Sequence, residues 1–375
     1  MSFWSSISDW WNGRPEPPAG SQRSDRGGTA VLERPSAARP ARTAPRGAPR
    51  DATRAAPTAA EPPAGEETAC WWKPPGAQAV GLPVLPRPDL NSAGQEVEAG
   101  ILRSLEETLS DPDIELPHLP HIPHQVLLLT RSETSNMRDI ARLVSQDQVI
   151  SADLLRRANS VAYGGASKVT ALDAALARLG MKGIRSFMIS RSVKQVTLAV
   201  GGRGGQSRGE SLWRQSLASA YIMATLGDRL SIPKEEAFLL GLLHDIGKVV
   251  VLRSCAQVSA AVGRPVPDAL FEYLCQEYHE LMGEMIAEHW KLPAQLGQII
   301  RSHHGREEVD ESYRRPRAMI QATDAILALL GYAPRVEIDL LAMPAIGVLG
   351  LAGDDGFRET LRMLPEVVKL AVTEG

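Results

Sequence analysis

The chain has 375 residues, 43% of them hydrophobic, and 41 Lys and Arg against 44 Asp and Glu leave a formal charge of −3. That length allows one large core plus a tail, and the balanced charge gives no general attraction to nucleic acid or anionic membrane. Cys70, Cys255 and Cys275 lack paired metal or dithiol spacing and read as reduced thiols; with no run of about 20 apolar residues and no secretory-signal layout, the expected location is cytoplasmic.

Residues 1–92 form the first region. More than half of the 27 prolines lie here, among Ala, Arg, Gly and Thr with little aliphatic periodicity. Such a segment cannot bury enough apolar surface to offset its backbone entropy, so a long disordered tail is expected. Its arginines, between Arg34 and Arg54, are ordinary for a linker and do not specify nucleic acid. Trp4, Trp10, Trp11, Trp71 and Trp72 stand out in it as candidate partner-binding anchors. Phe3, Ile7, Trp10 and Trp11 fit one face of a short helix, which would dock into a partner groove or back onto the globular part.

From Asn91 onward the pattern is helical, with hardly a strand signal. Ile101, Leu102, Leu105 and Leu109 mark a helix stopped at Asp111-Pro112. A second begins near Ser135-Asn136, and a third carries Leu154, Leu155 and Ala158. The run from Ala171 to Leu179 stops at Gly180, a C-cap; Ile184 to Val200 follows and ends in the Gly201–Gly205 loop. Helices are then expected from Leu212 to Leu230, Glu235 to Ser254, Phe271 to Trp290, Ala294 to Ser302, Ala318 to Leu330, Leu340 to Leu351 and Phe357 to Val372. The expected class is all-α. The expected divisions are a tail over 1–92, a helical domain over 93–312 and a helical C-terminal extension over 313–375 that completes the bundle.

His244 and Asp245 interrupt the apolar run Leu239 to Lys248. Burying an imidazole and a carboxylate is costly unless something satisfies them, and either an ion pair or a divalent metal would do so. On this dyad alone the ion pair is preferred. His279, His303, His304 and Asp324 shift the balance, because their convergence would supply ligands for one or two ions with Asp245 bridging. No cofactor is required by the sequence; a metal held there would be Mn, Fe or Zn.

The order HD, H, HH, D resembles the HD superfamily of metal-dependent phosphohydrolases. The surrounding sequence is similar to its HDOD branch, the HD-related output domain. Leu116-Pro117-His118-Leu119-Pro120 looks like that family's LPxLP opening. The run Leu154-Leu155-Arg156-Arg157-Ala158-Asn159-Ser160 with Tyr163-Gly164 resembles its LLRxANSxxYG segment. Ala171 to Gly180, His279-Glu280-Leu281-Met282-Gly283, Trp290-Lys291-Leu292-Pro293 and His303-His304 complete the match. The resemblance implies an HD-like helical bundle that acts as a regulatory output module of bacterial signal transduction, through a protein partner. Catalysis is not generally assumed for the family. Gln215 stands where catalytic relatives carry the first histidine ligand, and no GYP-like tripeptide follows His304. Were the protein an enzyme acting on a nucleotide or cyclic nucleotide, Asp245 and Lys248 would carry the chemistry.

Other polar groups read as structural. The prolines between His118, His121 and His124 favour polyproline II, in which successive histidines stand roughly 9 Å apart and do not share an ion. Asn159-Ser160 and Tyr163-Gly164 read as a turn, His289 as packed or superficial, and Arg156-Arg157 as a solvated face.

Overall fold

The computed structural model describes Phe3, Ile7 and residues 70–74, 77, 81–111, 116–131, 136–160, 167–201, 205–305, 310–334 and 336–374. Among these the architecture is all-helical. In chain order the helices are α1 (Ser92–Ser110), α2 (His121–Arg131), α3 (Met137–Val144), α4 (Gln148–Ala158), α5 (Leu172–Leu198), α6 (Gly205–Leu230), α7 (Lys234–Leu243), α8 (Lys248–Val262), α9 (Asp268–His289), α10 (Ala294–Ser302), α11 (Arg314–Leu329), α12 (Pro344–Leu349) and α13 (Asp355–Glu374).

Local chemistry sets several of these ends. Asn136 accepts from the Arg138 and Asp139 amides while Asp139 reaches back to the Asn136 N–H, a capping box that starts α3. Asp147 caps α4 through the amides of Val149 and Ile150. Gly180 divides α5 with φ of 63° and ψ of 175°, so the stop expected there is a sharp kink inside one element.

α7 lies at the centre. Every residue from Glu236 to Leu243 is buried, as befits a helix apolar on all sides. It crosses α6 closely at Gly241, where a Cβ would meet the Ser219 carbonyl oxygen at 2.6 Å and the Ala220 Cα at 2.8 Å. α11 and α13 pack on other parts of α6. Phe357, Leu361, Leu364 and Val368 supply the buried face of α13.

Three sequence expectations are corrected. The helix expected from Glu235 to Ser254 is two helices, because residues 244–247 form a turn between α7 and α8. The helix expected from Leu340 to Leu351 is a 3-10 turn (Leu340–Ala342) followed by α12, with Pro344 at its N-terminus. The polyproline reading of 117–124 fails from His121 onward: His121 opens α2, and Pro123 falls in its first turn, where a missing N–H costs no helical hydrogen bond.

The described part of the N-terminal region packs on the bundle. Phe3 and Ile7 are helical and 2% exposed, and the Phe3 ring meets Tyr313 edge-on at 5.6 Å. Trp71 donates through Nε1 to the Leu361 carbonyl at 3.0 Å. Trp72 is 5% exposed, and its carbonyl accepts from the Leu340 amide. Trp4, Trp10 and Trp11 lie outside the described residues.

Asn159 explains the Asn-Ser segment as architecture. Its Nδ2 donates to the carbonyls of Leu155 and Val169, and its Oδ1 accepts from the Val169 amide, all at 2.8 Å. One side chain thereby ties the end of α4 to the approach to α5. Asn159→Ala removes all three bonds and leaves Val169 without these partners, so urea denaturation should show a loss of about 2–3 kcal/mol. Tyr163 and Gly164 lie outside the described residues.

Candidate metal centre

The turn between α7 and α8 places His244 and Asp245 against α9, α10 and α11. His279 comes from mid-α9, His303 and His304 follow the last turn of α10, and Asp324 comes from α11. The six residues fall into two groups, His279, His303 and His304 in one and His244, Asp245 and Asp324 in the other. Within each group the ligand atoms lie within 4.8 Å of one another. Asp245 stands between them: Oδ2 is 3.4 Å from His244 Nε2, and Oδ1 is 3.4 Å from His279 Nε2 and 4.0 Å from His303 Nε2.

Backbone carbonyls orient the rings. Nδ1 of His244, His279 and His303 lies 2.9, 2.6 and 2.7 Å from the carbonyl oxygens of Gly241, Cys275 and Ile300 respectively. A carbonyl only accepts, so each Nδ1 carries the proton and each Nε2 is turned into the cluster. Glu280, 2% exposed, accepts from the His304 amide at 2.9 Å, and Gln321 donates to the His303 carbonyl at 3.1 Å. These two positioning residues were not assigned from the sequence. Glu280 offered one signal, a carboxylate beside His279 on an otherwise core-facing helix.

The two groups differ electrostatically. Burial opposes a proton on His244, but Asp245 and then Asp324 outweigh it and hold the imidazole at about 10. Burial would likewise raise Asp245, yet Lys248, His244 and His279 bring it well below the usual carboxylate range. The Lys248 ammonium lies 2.6 Å from Asp245 Oδ2. At neutral pH Asp245 is therefore paired with two cations, His244 and Lys248, and His244 Nε2 also lies 3.2 Å from Asp324 Oδ1.

The tri-histidine group has no such pairing. Burial drives His279 and His303 well below the ordinary imidazole range, so both are neutral. With their protons on Nδ1, both Nε2 atoms are acceptors, and they face each other at 3.2 Å. His304 Nε2, 3.1 Å from His279 Nε2, can donate one proton at most. Asp245 Oδ1 adds another acceptor, so lone pairs outnumber protons in a buried space. Three imidazole nitrogens and a carboxylate oxygen fit a divalent transition metal such as Zn, Fe or Mn. Asp324 Oδ2, buried and without a hydrogen-bond partner among the described residues, is a further acceptor at the edge of the cluster.

The HDOD domain signature matches residues 116–306, about half of the chain. The chain belongs to the HDOD family. An uncharacterized protein of Treponema pallidum (strain Nichols) is 25% identical over 221 residues, spanning 56% of this chain and 42% of that relative, so less than half of the relative's length is represented. Among solved structures, an HDOD domain protein of unknown function from Geobacter sulfurreducens aligns with a TM-score of 0.52 at 21% identity, over 72% of this chain and 99% of that one. A Shewanella amazonensis SB2B protein, provisionally named a metal-dependent phosphohydrolase, aligns at 0.57 and 19% identity, over 74% and 100%. A protein from Marinobacter aquaeolei VT8, provisionally named for signal transduction, aligns at 0.51 and 18%, over 76% and 65%. At these identities the structural likeness is one of fold.

Gln215 is half-buried on α6. His118, outside the His/Asp cluster, meets His289 at 2.9 Å across the end of α9, and beside this pair Trp290 Nε1 donates to the Pro117 carbonyl at 2.7 Å. Cys255 and Cys275 are buried free thiols. Burial raises both, Cys255 to about 12, so neither offers a thiolate. Among the described residues no helix is long and apolar enough to cross a membrane.

Proposed function

We propose that this HDOD protein is a bacterial, cytoplasmic regulatory module that holds one divalent transition metal at His279, His303, His304 and Asp245 and acts through a protein partner rather than by turnover. The observation that carries this reading is the asymmetry of the cluster. The His244 group carries its own proton and the Lys248 ammonium against Asp245, whereas the tri-histidine group converges lone pairs and brings no cation of its own. Hydrolysis by two ions about 3.5–4 Å apart would first have to break the pairing of Asp245 with His244 and Lys248.

Bound there, an ion supplies a Lewis-acidic tie between the turn after α7, α9 and the end of α10. Loading it would favour the arrangement in which those elements meet, a population shift that a partner can read. The HDOD family and the signalling name of the Marinobacter relative agree with such a role. A metal-dependent phosphohydrolase acting on a nucleotide or cyclic nucleotide is the second reading. It is favoured by the Lys248 ammonium beside Asp245, where it could meet a phosphate.

Metal analysis after reconstitution with Mn, Fe or Zn tests the assignment. One ion per chain is expected, lost in His279→Ala and His303→Ala and retained in Asp324→Asn. Two ions per chain, together with turnover of a generic phosphodiester that disappears in Asp245→Ala, would establish the hydrolase reading instead.

A further inference from the structure

Residues 81–91 run without regular secondary structure to the start of α1, and they are held to α9 in an unusual way. The Leu85 amide donates to Gln276 Oε1 at 2.6 Å, and Gln276 Nε2 donates to the Leu85 carbonyl at 3.3 Å. One primary amide thus reads both backbone groups of a single extended residue, the task a neighbouring strand performs in a sheet. Two residues on, the Arg87 guanidinium forks onto Glu98 of α1, Nε to Oε1 at 3.0 Å and Nη2 to Oε2 at 2.5 Å. Glu98 is itself 5% exposed, so the arginine answers a buried carboxylate. Tyr273 and Tyr278 of α9 stand near enough to act on the Arg87 charge.

The strap itself has the character of a ligand. Pro83, Pro86 and Pro88 restrict it to extended conformations before it docks, which lowers the entropy lost on binding. Leu82 and Leu90 are partly buried against the core, while Pro83, Pro86 and Val84 are exposed, Val84 at 80%. The strap therefore lies on the surface and is not threaded through it. Its Leu82-Pro83-x-Leu85-Pro86 pattern repeats that of Leu116-Pro117-x-Leu119-Pro120, which is also held to the end of α9 by a side-chain hydrogen bond to backbone, from Trp290 to the Pro117 carbonyl. α9 is thus a helix that grips Leu-Pro segments at two places.

We propose that the face formed by Gln276 of α9 and Glu98 of α1 is a docking surface for an extended Leu-Pro-x-Leu-Pro-Arg peptide of a partner protein, and that residues 82–90 occupy it in cis. A purely structural strap would need only its leucines; the backbone-reading amide adds affinity and the arginine fork adds sequence selectivity. A second copy of the chain is a poor occupant, because Asn91 caps α1 directly after the strap and leaves no spacer for exchange. Gln276 lies one helical turn from His279 and Glu280, so exchange of strap for partner acts on the helix that carries a metal ligand. The proposal deepens the regulatory reading by naming its surface and rests on that reading for its purpose. Peptide capture is scored without metal, so its failure would leave the metal count untouched.

The test uses the full chain and a variant in which residues 82–88 become a Gly-Ser run of equal length. The probe is a fluorescent synthetic peptide of residues 81–91, followed by anisotropy. The variant should bind it about tenfold or more tightly than the wild type, whose own strap competes at high effective concentration. Adding Gln276→Leu or Glu98→Gln to the variant should weaken capture about tenfold. A folded variant that ignores the peptide, or captures it equally with both substitutions present, would overturn the proposal. Should the variant fail to fold, hydrogen exchange in the wild type decides: the Leu85 amide should be protected and should exchange faster with excess peptide, and no change with peptide counts against the proposal.

Discussion

Gly247→Ala should abolish metal retention and lower the midpoint of unfolding more than an ordinary core substitution does. Gly247 follows the His244-Asp245 turn at the start of α8 and has φ of −62° and ψ of −21°, a conformation alanine adopts freely. The obstacle is purely steric. A Cβ there would fall inside the van der Waals sphere of the His279 carbonyl oxygen and 2.5 Å from the Gly283 amide nitrogen. Both obstacles are backbone, so no rotamer relieves the clash and the start of α8 must move away from α9. The ligands lie on either side of this contact, Asp245 two residues before Gly247 and His279 at the contact itself. Metal affinity should fall about 100-fold, and urea denaturation should show about 3 kcal/mol of lost stability. Gly263→Ala is the control. Gly263 has φ of 70° and open space around its Cβ position, so that variant should cost about 1 kcal/mol in backbone strain and leave metal binding alone.

The same contact shows why the candidate site was more legible in the sequence than the local structure around it. His244, Asp245, His279, His303, His304 and Asp324 announced themselves as polar groups set in apolar helices, and burial penalties do not depend on knowing the fold. The turn over residues 244–247 left no such trace. α7 is buried on all sides, so its apolar run has no 3.6-residue periodicity to lose where the helix ends. The break coincides with the approach of Gly247 to α9, a partner 32 or more residues away in sequence. α2 was hidden for the opposite reason: local signals were strong but ambiguous, since proline in a first turn resembles proline in an extended run. Among the tail tryptophans, Trp71 and Trp72 read from the sequence as candidate partner-binding anchors; the contacts they make with Leu361 and Leu340 lie within the chain. The asymmetry between the two halves of the cluster depends on which nitrogens and oxygens face one another, and residue order carries no such information.

That asymmetry predicts a pH dependence that separates the two halves. In the metal-free protein His244 is held at about 10 by Asp245 and Asp324 against the opposing effect of burial. Its folded value lies above the unfolded value of about 6.5. The ion pair therefore stabilises the fold fully below about pH 6.5, and its contribution fades as pH rises through about 10. An ion entering between His244, Asp245 and Asp324 must displace that proton, so its affinity should climb about tenfold per pH unit up to about 10. His279 and His303 lie well below the ordinary imidazole range and have no such proton to surrender at neutral pH. The first ion should accordingly bind with nearly constant affinity between about pH 7 and 9, and a second should appear only under alkaline conditions. Calorimetric titration in buffers of different ionisation enthalpy counts the protons directly. Neither His279 nor His303 should lose a proton with the first ion, and His244 should lose one with the second. A full proton released with the first ion near neutral pH, and an affinity that rises in step with pH, would place that ion in the His244 half. The pairing of Asp245 with His244 and Lys248 would then be the resting form of a working metal site, which favours hydrolysis over regulation.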